Sequence, residues 1–128
     1  MYGYYSISEL TREFSITART LRYYEEEGLL VPFRRGSTRF YTQTDRHKLK
    51  QILRAKRVNF SLSEISEMLT VVERLPNDEE KLKELIAGVN KKRAYLQQMQ
   101  RDIDDILHDL ECIEEIFFEN LAELGVKY

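Results

Sequence analysis

Residues Leu82, Leu85, Val89, Lys92, Leu96, Met99, Ile103, Ile106, Leu110, Ile113 and Phe117 follow one another at alternating spacings of three and four without a slip. All but Lys92 are apolar, and Ile86, Leu107 and Ile116 fall beside the row and widen it. An apolar stripe that keeps a seven-residue period this long predicts one helix that supercoils left-handed around a partner. A stripe of that length left in water would be a large exposed apolar patch. The expectation is therefore an obligate homodimer through residues 80–117. Gly88 is a local weak point near the helix start, costing about 1 kcal/mol relative to Ala.

The stretch Thr17 to Tyr41, TARTLRYYEEEGLLVPFRRGSTRFY, organises what comes before that helix. Thr17 is a candidate N-cap, Ala18 to Glu27 hold no breaker, and Gly28 can take the positive φ that ends a helix. On this helix Leu21 and Tyr24 share one side, while Arg19, Arg22 and Tyr23 lie on another. After the apolar Leu29-Leu30-Val31-Pro32 come Phe33-Arg34-Arg35 and Thr38-Arg39-Phe40-Tyr41, flanking Gly36-Ser37. That pair suits a two-residue type II′ turn and so a basic hairpin. A helix carrying two arginines fits a DNA major groove, and the cations of a hairpin beside it can meet phosphates.

Ser6-Ile7-Ser8-Glu9 is a capping box opening a short helix to about Phe14, with Ile7, Leu10 and Phe14 on its apolar side. Joined through Ser15-Ile16 to the helix at Thr17, it makes a helix-turn-helix, and the hairpin makes that motif winged. Thr44 is the expected cap of a third helix, from Asp45 to about Val58. Asn59 stands where the chain must turn, and Asn tolerates the left-handed conformation better than most residues. Ser61-Leu62-Ser63-Glu64 is a second capping box, with Ile65, Met68, Leu69 and Val72 facing inward until Pro76-Asn77-Asp78. The fold class predicted is all-α dominated with a small β-hairpin: a winged helix-turn-helix DNA-binding domain over 1–75, then a coiled-coil dimerisation helix with a short tail over 76–128.

Net charge is only −2, but it is unevenly spread. Residues 1–60 hold 12 Lys and Arg against 6 Asp and Glu, and residues 61–128 hold 8 against 16, so +6 and −8 make up the total. A basic head and an acidic tail are separate surfaces, and the basic one points to a polyanion. Cys112 is the only cysteine, which excludes a disulfide framework within one chain. No secretory signal opens the sequence and no apolar run approaches the roughly 20 residues of a membrane span. A soluble cytoplasmic protein is expected. No Gly-rich phosphate loop and no nucleophile with a matched His is present, so an enzyme is not expected.

Several of these segments resemble the mercury-resistance-regulator (MerR) family of transcription regulators. They are Ser6 to Leu10, the string TARTLRYYEEEGLL, Arg39-Phe40-Tyr41, and Asn59 to Ile65, in order and at matching spacing. Within the family, FRRGSTRFY and ILRAKR look most like regulators of branched-chain amino-acid and acyl-CoA catabolism. The resemblance implies roles position by position. Arg19 and Arg22, with Tyr24 beside them, match the recognition residues facing DNA; from the residues alone, one of Tyr23 and Tyr24 packs inside and the other donates to phosphate. Arg34, Arg35, Arg39 and Tyr41 match the wing, and Arg54, Lys56 and Arg57 match a basic corner resembling a second wing. Asn59 departs from the family's usual Gly. The resemblance also implies antiparallel pairing and a dimer that kinks promoter DNA so that RNA polymerase can use it.

Two other readings compete with parts of this. A metal-responsive regulator needs at least two thiolates or a Cys/His cluster, and here Cys112 has only His108 one turn away. Neither metal nor cofactor is therefore expected. A coiled-coil adaptor with a protein-binding head sits badly with the basic wing. The expected signal is instead a small organic effector, an acyl-CoA or related catabolite, held where Phe117, Phe118, Leu121 and Tyr128 meet the other subunit's head.

Overall fold

The structure is a computed structural model and describes residues 3–127, with the side chain of Val72 and all of Tyr128 outside the described set. It divides into two compact units, Met1–Leu75 and Pro76–Tyr128.

In the first unit, α1 (Ile7–Phe14) starts at the capping box: the Ser6 hydroxyl accepts from the Glu9 amide and the Glu9 carboxylate accepts from the Ser6 amide, both at 3.1 Å. It stops at Ser15, whose φ of 54° is left-handed. Next comes α2 (Ala18–Glu26), capped by Thr17, whose Oγ1 accepts from the Thr20 amide at 3.1 Å. Gly28 takes φ +78° after it, so that the Leu29 amide reaches the Tyr24 carbonyl and the Gly28 amide reaches that of Glu25, each at 3.0 Å. These two bonds satisfy carbonyls that the helix end would leave open, and turn the chain sharply into Leu29 and Leu30.

The hairpin forms as expected, from β2 (Phe33–Arg35) and β3 (Thr38–Thr42), in the register Phe33↔Phe40, Arg34↔Arg39, Arg35↔Thr38. Gly36 at φ +66° supplies the left-handed residue of its turn. A two-residue strand, β1 (Tyr4–Tyr5), adds to the other edge of β3, giving the order β1-β3-β2. The sequence offers no alternation to announce so short a strand.

The third helix, α3 (Gln43–Arg57), starts two residues before the expected place. Its cap is Thr42 rather than Thr44, because Thr42 makes a capping box with Asp45: hydroxyl from amide and carboxylate from amide, both at 3.1 Å. Asp45 is buried and also accepts from the Val31 amide at 3.2 Å, which fastens the approach to the wing onto α3. After α3, Asn59 takes φ +68° and closes the same pair of bonds that Gly28 closes, from Asn59 to Lys56 and Phe60 to Ala55. A second capping box at Ser61 and Glu64 opens α4 (Leu62–Thr70). The chain then tightens into a 3₁₀ turn, Val71–Arg74. Met68, expected to face inward, is exposed. Leu10, Leu21, Leu30, Tyr41, Leu49, Ile52 and Ile65 form the fully buried core.

The second unit is one helix, α5 (Glu79–Glu123), capped by Asp78 and 45 residues long. It passes beyond Phe117, where the heptads end, and stops at Gly125. No residue of α5 is buried; Leu82, Leu85, Val89, Ile103, Ile106, Leu110, Ile113 and Phe117 are all exposed. No helix among the described residues is long and apolar enough to cross a membrane.

Candidate nucleic-acid interface

The geometry of α2 follows from which of its sides the core takes. Leu21 is fully buried, and Tyr24, three residues on, goes inward with it at 6% exposure. Burial, and then the neighbouring Tyr23, push the Tyr24 phenol above its ordinary pKa. Tyr24 is therefore a packing residue. This corrects the placement of Tyr24 against DNA, which carried a role over by position where the helical period already decided the side. Tyr23 is the exposed tyrosine, at 47%, with its ring 5.9 Å from that of Tyr24. Arg19 and Arg22 are exposed beside it.

Tyr41 needs the same correction. It is fully buried on β3, and its hydroxyl donates to Glu25 Oε2 at 3.4 Å. Its phenol pKa is pushed up to about 12, first by burial and then by the Glu25 carboxylate. A side chain so enclosed anchors the wing to α2 and does not reach a phosphate.

Glu25 was not legible as a functional residue, since Glu25-Glu26-Glu27 reads as a solvated acidic run. Its carboxylate nevertheless gathers the wing: Arg39 Nε lies 2.9 Å from Oε2 and Arg34 Nη2 lies 3.2 Å from Oε1. The signal that existed was its position four residues after the buried Leu21, at the edge of the inward face. It is also three residues from Arg22, so the wing meets α2 one turn beyond that arginine.

The remaining predicted cations are open. Arg35 lies at the tip of the wing, and Arg54, Lys56 and Arg57 occupy the last turn of α3, where the helix dipole favours positive charge. Among the described residues, neither these four nor Arg19 and Arg22 form an ion pair. No hydrogen bond connects the α3 corner to α2 or the wing among the described residues. By contrast Arg46 is committed: its guanidinium pairs with Glu13 and lies 5.8 Å from the Tyr5 ring centre and 5.9 Å from that of Phe14. The hydrogen bond from Arg46 holds the Glu13 carboxyl below its usual range. That contact joins α1 to α3.

On α5, Cys112 is exposed, with Sγ 3.8 Å from His108 Nε2. No group of three or more His, Cys, Asp or Glu able to hold a metal occurs among the described residues.

The chain matches two family descriptions, "MerR HTH family regulatory protein" over residues 5–71 and "MerR, DNA binding" over 46–111. It is 34% identical over 119 residues to the HTH-type transcriptional regulator CueR of Vibrio cholerae, covering 91% of this chain and 78% of that protein. Among solved structures it resembles HiNmlR, a MerR family regulator lacking the sensor domain, bound to promoter DNA. That match has a TM-score of 0.62 at 23% identity and covers 96% of this chain and 92% of that one, a likeness of fold. It also resembles PbrR691 of Ralstonia metallidurans CH34 in complex with lead(II), with a TM-score of 0.51 at 28% identity over 79% of this chain and 83% of that one. The winged helix-turn-helix, its open arginines and these matches lead to one conclusion: the chain belongs to the MerR family of DNA-binding transcription regulators.

Proposed function

We propose that two copies of this chain pair through α5, antiparallel, and set their winged heads on two half-sites of promoter DNA. Residues 1–75 act as the DNA-binding domain and 76–128 as the dimerisation element. The observation that carries this reading is the set of unpaired cations on α2, the wing tip and the end of α3, in a chain whose other unit exposes a full apolar seam. Arg19 and Arg22 face the major groove, and Arg22 reads a base edge. Arg35 meets phosphate at the wing, with Arg34 and Arg39 behind it, and Arg54, Lys56 and Arg57 grip the backbone at the second corner. Tyr23 takes the place at the surface that Tyr24 does not have.

Charge along α5 supports the antiparallel direction. Residues 79–101 hold six Lys and Arg against three Asp and Glu, and residues 102–123 hold nine Asp and Glu and no Lys or Arg. A parallel pair would set acid against acid, whereas an antiparallel pair sets the basic half against the acidic one. Full overlap of the seam places its middle near Met99, with Ile103 of one copy against Leu96 of the other. Two heads held at fixed separation can bend or untwist the duplex between half-sites, at a cost of a few kcal/mol met by contacts on both. RNA polymerase is then an indirect partner, and the DNA partner puts the protein in the cytoplasm.

The controlling signal in this reading is a small organic molecule bound near Phe117, Phe118 and Leu121. A metal-responsive regulator is the second reading, favoured by the lead(II)-bound PbrR691 and by the Cys112–His108 contact. One thiol and one imidazole are a weak soft-metal site, with neither a second thiolate nor a third ligand beside them among the described residues, which supports the organic signal.

Mobility shift at rising salt tests the DNA reading. Several phosphate contacts give a steep linear fall of log affinity with log salt. A shallow slope, equal on promoter and random duplex, would refute it.

A further inference from the structure

Glu25 places a negative charge where the protein is to meet a polyanion. Its carboxylate takes Arg39 Nε at 2.9 Å, Arg34 Nη2 at 3.2 Å and the Tyr41 hydroxyl at 3.4 Å. Folding stability is a poor reason for the Arg34 contact, because that side chain remains 57% exposed, and exposed pairs contribute little. Arg39 at 2.9 Å and, behind it, the fully buried Tyr41 hydroxyl at 3.4 Å hold the carboxylate on the core side, away from the outward path of Arg34. The guanidiniums it holds are the same forks that a DNA phosphate would take. Arg35, next to Arg34 on the wing, has no such restraint among the described residues.

We propose that Glu25 is a specificity-determining residue that withholds Arg34 and Arg39 from DNA phosphates. The inference rests on the reading of α2 and the wing as the DNA-facing surface. A phosphate contact strengthens binding to every sequence alike, whereas base contacts favour one. Each guanidinium withheld lowers affinity for random DNA and leaves more of the discrimination to α2. Glu25 thus keeps the wing's grip partial: Arg35 engages the backbone, while its neighbours orient the hairpin against α2.

The test uses the full-length protein on a duplex from upstream of its own gene and on a scrambled duplex, across a range of salt. Glu25→Gln keeps the size and a hydrogen-bond acceptor but removes the charge that competes with phosphate. It should bind scrambled DNA more tightly than wild type, steepen the salt slope of the dimer by about two to four, one for each guanidinium released in the two copies, and lower the ratio of specific to random affinity several-fold. Arg34→Ala in the Glu25→Gln background should take back part of the added slope. Arg34→Ala alone, at an exposed position that does not threaten folding, should leave the wild-type slope nearly unchanged, while Arg35→Ala should flatten it by about two, one for each copy in the dimer. The proposal is overturned if Glu25→Gln, shown to be folded by its thermal melt, matches wild type in slope and ratio, or if Arg34→Ala flattens the slope as much as Arg35→Ala does. Wild type binding neither duplex would instead overturn the DNA reading of the wing.

Discussion

Replacing Ile103 by Asp should take the protein from dimer to monomer. Ile103 is 48% exposed on the isolated helix and, in the proposed antiparallel pair, would lie near the middle of the seam against Leu96 of the second copy. Covering that half of an Ile side chain is worth about 1 kcal/mol, taking full burial as about 1.5–3 kcal/mol, so the two copies lose about 2 kcal/mol between them. The new carboxylates must also leave water; an uncharged polar group loses about 2 kcal/mol on the scale of protein substitutions, and each carboxylate loses at least that. Asp102, Asp104 and Asp105 stand beside them and offer no relief. The loss is at least about 6 kcal/mol per dimer, which raises the dissociation constant by about four powers of ten or more. Sedimentation equilibrium over nanomolar to millimolar protein measures it, with Gln97→Asp, off the seam, as the control that stays dimeric. Wild type sedimenting as a folded monomer at micromolar concentration would refute the reasoning, and so would Ile103→Asp dimerising as tightly as wild type.

Arg22→Ala should weaken binding to the specific site by about 1–3 kcal/mol and relax preference at one base pair per half-site, whereas Arg35→Ala should weaken all sequences alike; competition binding against a panel of single-base variants separates the two. Tyr41 has a folded pKa of about 12 against an ordinary 10, so the stability it adds is intact below pH 10 and is lost as pH rises from 10 towards 12. Tyr41→Phe should flatten that part of the alkaline unfolding curve, measured by urea titration at pH 9 and 11. Cys112→Ser should leave DNA binding and transcriptional output unaltered in the presence or absence of zinc, copper or mercury; uptake of one tight metal ion per dimer with loss of the free thiol would reverse the choice of signal.

What could be read from the chain is what local chemistry decides. The capping boxes at Ser6 and Ser61 involve residues three apart, Gly28 and Asn59 stand where a helix reverses, and the seam of α5 is a periodicity. Each appears in the structure where its residues put it. The start of α3 is not legible in the sequence because Thr42 serves both the end of β3 and the capping box, and the strand pattern hides the cap. The resemblance places Tyr24 and Tyr41 against DNA by position, and residue type does not object, since a tyrosine suits a core and a phosphate equally well. Side then decides, and for Tyr24 the period shared with Leu21 was available in the sequence. Glu25 could not be found this way: its partners lie 9, 14 and 16 residues away, and only the folding of the wing against α2 brings them together.

A dimer that recognises promoter DNA through α2 and the wing should leave a symmetric footprint. Hydroxyl-radical footprinting of the region upstream of the protein's own gene tests it most directly. Two protected segments related by an inverted repeat, on one side of the duplex and spaced by a whole number of helical turns, are predicted for wild type. Both should vanish together in Ile103→Asp. A single protected segment, or protection that survives unchanged in that variant, would rule out recognition by a dimer.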